Sequence, residues 1–329
     1  MKKTIDAPAR ADAFNDAILP DLGANLNPVG RICAANESRF TSAHFSEPLT
    51  TYAVGWRDPE NLDELIRRLF PEVPVGRRFE FKKADNAEAF LSEADDIRAI
   101  GAAFKRVEYK GESVNEKTLN KGLTVRVDHD DNVGDDWREA TVGRLLQRLA
   151  RNELRRGMAL LSASATNANK VWGAGNPDKD VRDGLAAATD ITGIRPSVVA
   201  YGAAAWDLRL DVYETQNTPA AGRKAGMTAE QLAAYLMVDL VEVVRARYQS
   251  TATAKAAVVP AAVYLYLAIQ GAGKDDPTNI KRFVSPTESG RYRVYEQVYE
   301  KFTDISVELY SNLVATSTLG IRKLTVSGS

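Results

Sequence analysis

The stretch VGRLLQRLARNELRRGMALL, Val142 to Leu161, is the most regular in the chain, and its reading decides the fold. Asp135 and Asp136 precede it, where carboxylates accept from free backbone N–H groups and favour the positive end of a helix dipole. The spacing predicts a helix over about 136–163, on the order of 40 Å at 1.5 Å per residue, which is more than a small compact domain needs. Its apolar face drifts from Val142, Leu145, Leu146 and Leu149 to Leu154, Met158 and Leu161, so it is expected to touch core on two different faces. Arg144, Arg148, Arg151 and Arg155 keep to one side of it.

Composition narrows what such a helix can serve. A chain of 329 residues, 44% of them hydrophobic, can bury a substantial core. Lys plus Arg number 43 against 44 Asp plus Glu, a net charge of -1, which argues against a protein whose main business is binding nucleic acid, so a charged partner must be met by a local patch. The single cysteine, Cys33, excludes an internal disulfide framework and suits a reducing compartment. Met1-Lys2-Lys3 starts like a signal peptide, but Asp6 and Pro8 stand where an apolar core belongs. Ala256 to Ile269, the most apolar run, is shorter than the roughly 20 residues a membrane span needs and contains Pro260, so it reads as a buried strand over 258–269.

Away from the helix, residues 1–50 hold four prolines and read as an extended arm. Leu62, Leu65, Ile66 and Leu69 predict a short amphipathic helix ended by Pro71 and Pro74. Alternation then takes over at Phe79 and Phe81, at Phe104, Val107 and Tyr109, and at Leu123, Val125 and Val127; the first two runs are expected to be the arms of a long hairpin. Its tip is acidic, with Asp85, Glu88, Glu93, Asp95 and Asp96 against Arg98, and carries Phe90 and Leu91. Beyond the long helix the pattern gives a helix in DVRDGLAAATDITG, a strand in PSVVAYG and a helix in AAAWDLRL. A second long helix is expected over Thr228–Tyr248, opened by a Thr228–Gln231 capping box and burying Tyr235, Met237 and Tyr248, and long antiparallel strands close the chain from Tyr292.

Chemistry-bearing motifs are scarce. DHDD, Asp128 to Asp131, lacks the convergent second set of ligands a metal needs and reads as a turn. GAGKDD, Gly271 to Asp276, lacks the first glycine of a phosphate loop and has Asp275 where Ser or Thr would hold magnesium. Two histidines and one cysteine leave little for a nucleophilic triad. Neither an enzyme nor a cofactor is expected, and the elongated pieces expose surface that copies of the same chain would cover.

In order and phrasing the chain resembles the tailed-bacteriophage major capsid proteins of the Hong Kong 97 type, a family that also includes encapsulins. DIRAIGAAFKRVEYKGES followed by NKGLTVRVD resembles the family's extended loop, and WREATVGRLLQRLARNELRRGMALLSASATN its spine helix. DVRDGLAAATDITGIRPSVVAYGAAAWDLRL resembles the opening of the axial domain, and YRVYEQVYEKFTDISVELYSNLVATSTLGIRKL the closing strands. The resemblance implies an α+β fold divided as an N-terminal arm (1–50), a first peripheral segment (51–76), an extended β-hairpin loop (77–122), a peripheral domain with the spine helix (123–170), an axial domain (171–280) and closing strands shared by the peripheral and axial domains (281–329). It also implies pentamers and hexamers of one chain that close into an icosahedral phage head around double-stranded DNA held by weak non-specific contact, assembled in the bacterial cytoplasm without a membrane. Scaffold, portal and decoration proteins are further partners the family allows; an encapsulin-like compartment is the alternative, and a soluble α+β enzyme or binding protein a more distant one.

On this resemblance the loop-tip residues Asp85 to Arg98 contact a neighbouring subunit, with Arg144, Arg148, Arg151 and Arg155 one candidate partner. Some family members also join subunits through a Lys–Asn isopeptide bond. Lys82, Lys83, Lys110, Asn279 and Asn312 are the residues available for it, and no local pattern selects a pair.

Overall fold

A computed structural model describes residues 42–83, 112–131, 134–173, 175–216, 218–251, 253–271, 273–287 and 290–328. Residues 1–41 of the expected arm, the loop tip from Asp85 to Arg98, the 104–109 strand, Lys110 and Cys33 lie outside the described residues, while the last residues of the expected arm open a helix at Glu47 that buries Leu49. The described residues divide into two units, one of 42–246 with 257–328 and the other of 247–256. Arg247–Gln249 (β8) and Lys255–Ala257 (β9) form a ribbon, turned by a Ser250 N–H to Ala254 carbonyl bond of 3.0 Å.

The larger unit is built on two five-stranded sheets. In the first, Glu72–Pro74 (β1) lies parallel to Ile280–Val284 (β11), which pairs with the C-terminal end of the long strand Phe302–Ala315 (β13). Tyr292–Val298 (β12) continues along the same edge of β13, and Leu119–Asp128 (β4) covers the other. The second sheet runs Thr166–Val171 (β5), Arg322–Ser327 (β14), Ala262–Tyr266 (β10), Val198–Gly202 (β6), Leu240–Val244 (β7).

The helix Trp137–Ser164 (α3) joins the two sheets as its drifting apolar face requires. Val142, Leu145, Leu146 and Leu149 pack with Val294, Ile305, Val307 and Leu309 of the first sheet, and with Leu49 and Ala53 of the helix Glu47–Gly55 (α1). One turn on, Leu154, Met158 and Leu161 enter a different core, with the amphipathic helix Leu62–Leu69 (α2), Phe70, Val198, Ala200, Tyr264 and Tyr266. Each such leucine contributes about 1.5–3 kcal/mol by leaving water, so neither half of α3 is dispensable.

Both central strands of the second sheet, β6 and β10, are buried along their whole length. Period-two alternation sends Val198, Ala200, Tyr264 and Tyr266 to the α3 side. Val199, Tyr201, Val263 and Leu265 go to the opposite face, under the helices Pro177–Thr192 (α4), Ala203–Thr215 (α5) and, past the short helix Pro219–Ala225 (α6) that packs on α5, Ala229–Leu236 (α7).

The expected helix over Thr228–Tyr248 stops at Leu236. Its capping box forms as predicted, but Met237 turns left-handed with φ 55°, and the β-branched run after it pairs in parallel with β6. Pairing on a buried neighbour outweighs the helical spacing of that run. Met237 is accordingly 80% exposed and Tyr235 36%, so neither is core. The expected 258–269 strand is shorter than predicted, and Pro260 lies outside it.

Candidate inter-subunit site

Arg78–Lys83 (β2) pairs antiparallel with Glu112–Lys117 (β3), so the described return arm of the hairpin is a polar segment without apolar alternation. Phe79 and Phe81 lie 4.3 and 5.8 Å, centroid to centroid, from Phe283 on β11, with Val73 and Val114 in the same cluster. The Lys82 backbone N–H donates to Asp275 Oδ1 at 2.8 Å, the Asn312 amide donates to the Lys117 carbonyl at 3.0 Å, and the Arg77 guanidinium stacks over Tyr310. Apolar, hydrogen-bonded and cation–π contacts together fix the hairpin's root to the first sheet.

The four spine arginines have different fates. Arg151 donates twice to the Glu60 carboxylate, at 2.6 and 2.8 Å, and Arg155 is half-buried. Arg144 and Arg148 are exposed, and no acid pairs with either among the described residues. They stand one turn apart on one helix face, a like-charge arrangement that costs a few tenths of a kcal/mol until an anion meets it.

Below that face lies a charge cluster the sequence did not announce. Glu153, on the buried side of α3, accepts from Arg282 at 2.7 Å, Ser311 at 2.6 Å and Lys121 at 3.3 Å. Asp63 and Glu72 flank Arg282 and Arg291 on the α2 side. Burial alone would raise the Glu153 pKa, but Arg282 and Lys121, with the hydrogen bonds from Arg282 and Ser311, hold it well below the usual carboxylate range. Burial pushes Lys121 down against the pull of Glu153, and pushes Glu72 up against the pull of Arg282. The signal was available in principle, since Glu153 is the one acid among the arginines of 144–156, but helical spacing cannot say which charge faces inward.

Other candidates resolve into local structure. Asn279 accepts from the Leu267 N–H at 2.7 Å and donates to the Ser317 and Leu319 carbonyls at 3.1 and 2.8 Å, so its amide is committed within its own chain. His129 sits against the Glu300 carbonyl and Thr303 Oγ1, at 3.3 and 2.8 Å, fastening the end of β4 to the β12–β13 turn. Asp276 pairs with Lys281 at 3.1 Å, and Gly271 turns with φ 74°. Among the described residues no group of His, Cys, Asp and Glu could hold a metal ion.

No protein-family profile and no curated protein matches the chain. Among solved structures it is similar to a phage-related protein from Bordetella bronchiseptica, at 20% identity and TM-score 0.62, over 86% of this chain and 97% of that one. It shares that protein's fold. It is also similar to a structure described as a prophage capsid protein of Escherichia coli (10% identity, TM-score 0.48, 86% and 99% covered). A third is an encapsulin complex from Synechococcus elongatus (13%, TM-score 0.45, 80% and 88%). The mixed α+β architecture is consistent with the Hong Kong 97-like capsid fold that the sequence resembles.

Proposed function

We propose that the chain is the structural subunit of a closed protein shell, the major capsid protein of a tailed-phage head, assembling through copies of itself as pentamers and hexamers around double-stranded DNA. The observation that carries this reading is the fold held in common with a phage-related protein across nearly the whole of both chains. The architecture supports it: a long helix braces two sheets, the β2–β3 pair is fixed to one of them, and Arg144 and Arg148 on the helix have no acid partner among the described residues.

On this reading residues 123–170 serve as the peripheral domain, 171–280 as the axial domain, and 77–122 as the loop, whose acidic residues Asp85 to Asp96 meet a neighbouring copy. Contact with DNA is weak and salt-sensitive, in keeping with a net charge of -1. No helix among the described residues is long and apolar enough to cross a membrane.

Electron microscopy of the purified protein, with nucleic acid measured in the particles, tests the reading. Closed shells containing DNA support a phage head. Shells filled with a protein cargo support an encapsulin-like compartment instead, and a small soluble oligomer contradicts both.

A further inference from the structure

One surface of the first sheet carries more apolar and aromatic exposure than a sheet end needs. At the β12–β13 turn Val298 is 62% exposed and Tyr299 36%. Phe302 lies 4.5 Å from Tyr299, centroid to centroid, and the Arg126 guanidinium covers its ring at 3.8 Å. His129 fastens the end of β4 to this turn, which brings the exposed acids Asp128, Asp130 and Asp131 beside Glu300. None of these four acids has a cationic partner among the described residues. The result is an aromatic knob rimmed by carboxylates, and Arg126 on Phe302 shows that its rings accept a guanidinium.

A partner for such a surface must offer arginines on a rigid apolar-stemmed face. The chain supplies one: Arg144 and Arg148 on α3 are exposed and one turn apart, with their charges unmet among the described residues. Arginine stems lie along aromatic surface while the planar heads reach carboxylates in pairs, and Tyr and Arg are the residue types that dominate protein interfaces.

We infer that the β12–β13 tip of one copy, with the Asp128–Asp131 turn, docks head-to-tail on the Arg144/Arg148 face of the next. The contact deepens the shell reading and rests on it, since each copy carries both halves and one contact leaves a tip and an arginine face for further copies. Its charges set register and partner choice, and Val298 and Tyr299 supply the desolvated centre.

The test is a charge swap on the full chain, read as the assembled fraction by sedimentation velocity at low and moderate salt. Arg144→Glu with Arg148→Glu, and separately Asp130→Lys with Asp131→Lys, are each expected to lower the assembled fraction at least tenfold. All four positions are exposed, so the thermal unfolding midpoint stays unchanged. Combining the four substitutions in one chain is expected to restore assembly, and Val298→Ser with Tyr299→Ser to weaken it without changing its salt dependence.

Four results would overturn the inference while leaving the shell reading intact. In the first, wild-type particles form and both reversals assemble normally. In the second, the arginine reversal is rescued by Asp95→Lys with Asp96→Lys, which would make the loop segment the occupant. In the third, the arginine reversal assembles fully but retains less nucleic acid, which would make phosphate the occupant. In the fourth, the four-fold combination stays unassembled. A wild-type chain that never assembles overturns both readings.

Discussion

Glu153 and Arg282 meet at 2.7 Å with 2% and 1% of their surfaces exposed, one from the middle of the spine helix and the other from a strand at the far end of the sequence. Two charges so buried contribute little as a pair, because desolvation offsets their attraction, but either one alone is costly. Glu153→Gln should therefore destabilise the chain by about 3–5 kcal/mol in urea unfolding, whereas joint replacement of Glu153, Arg282 and Lys121 by Leu or Met should be near neutral. A loss under about 1 kcal/mol for the single variant would show that Asp63 and Glu72 suffice to hold Arg282.

The same pair sets an acid limit. The folded-state pKa of Glu153 is depressed by Arg282 and Lys121 against the opposing effect of burial, so its contribution is full above the unfolded carboxylate value, about 4.3, and is lost as pH falls below it. Glu72, whose pKa burial raises, works in the opposite direction and relieves a small part of the loss. Unfolding free energy measured between pH 7 and pH 3 should fall in the wild type, and fall less steeply in Glu153→Gln.

The helix and its two cores were legible in the sequence because apolar spacing reports directly on burial; Val142 to Leu149 and Leu154 to Leu161 went to separate clusters as their drift required. The strand Glu112–Lys117 was not, since it pairs through its backbone and shows no alternation. Nor was β7, where Leu240–Val244 carries a helix-compatible pattern that only the presence of β6 beside it overrules. Of the candidate site, the arginines were readable as a stripe. Their division into a paired Arg151 and an open Arg144 and Arg148 depends on Glu60, 91 residues away from Arg151 in sequence.

Close packing between the helices gives a sharper prediction. A Cβ at Gly157 would stand 2.4 Å from Phe70 Cε2, so Gly157→Ala must displace a ring that is fully buried. The expected cost is about 1–3 kcal/mol despite the better helix propensity of alanine. Arg148→Ala, at an exposed position on the same helix, should stay within about 0.5 kcal/mol. Thermal or denaturant unfolding of the two variants side by side checks the contrast.

Met237 offers the opposite case. It ends α7 in a left-handed conformation that favours glycine, with the Arg195 guanidinium donating to its carbonyl and to that of Leu236. Its side chain is almost wholly in water, so Met237→Gly sacrifices little packing and should stabilise the folded chain by up to about 1 kcal/mol in the same unfolding assay.

The most direct measurement of the central claim is the sedimentation coefficient distribution of the purified wild-type chain across a range of concentrations. The account predicts a large, closed species in equilibrium with capsomers or subunits. A single compact species of one chain, unchanged as concentration rises, would contradict it.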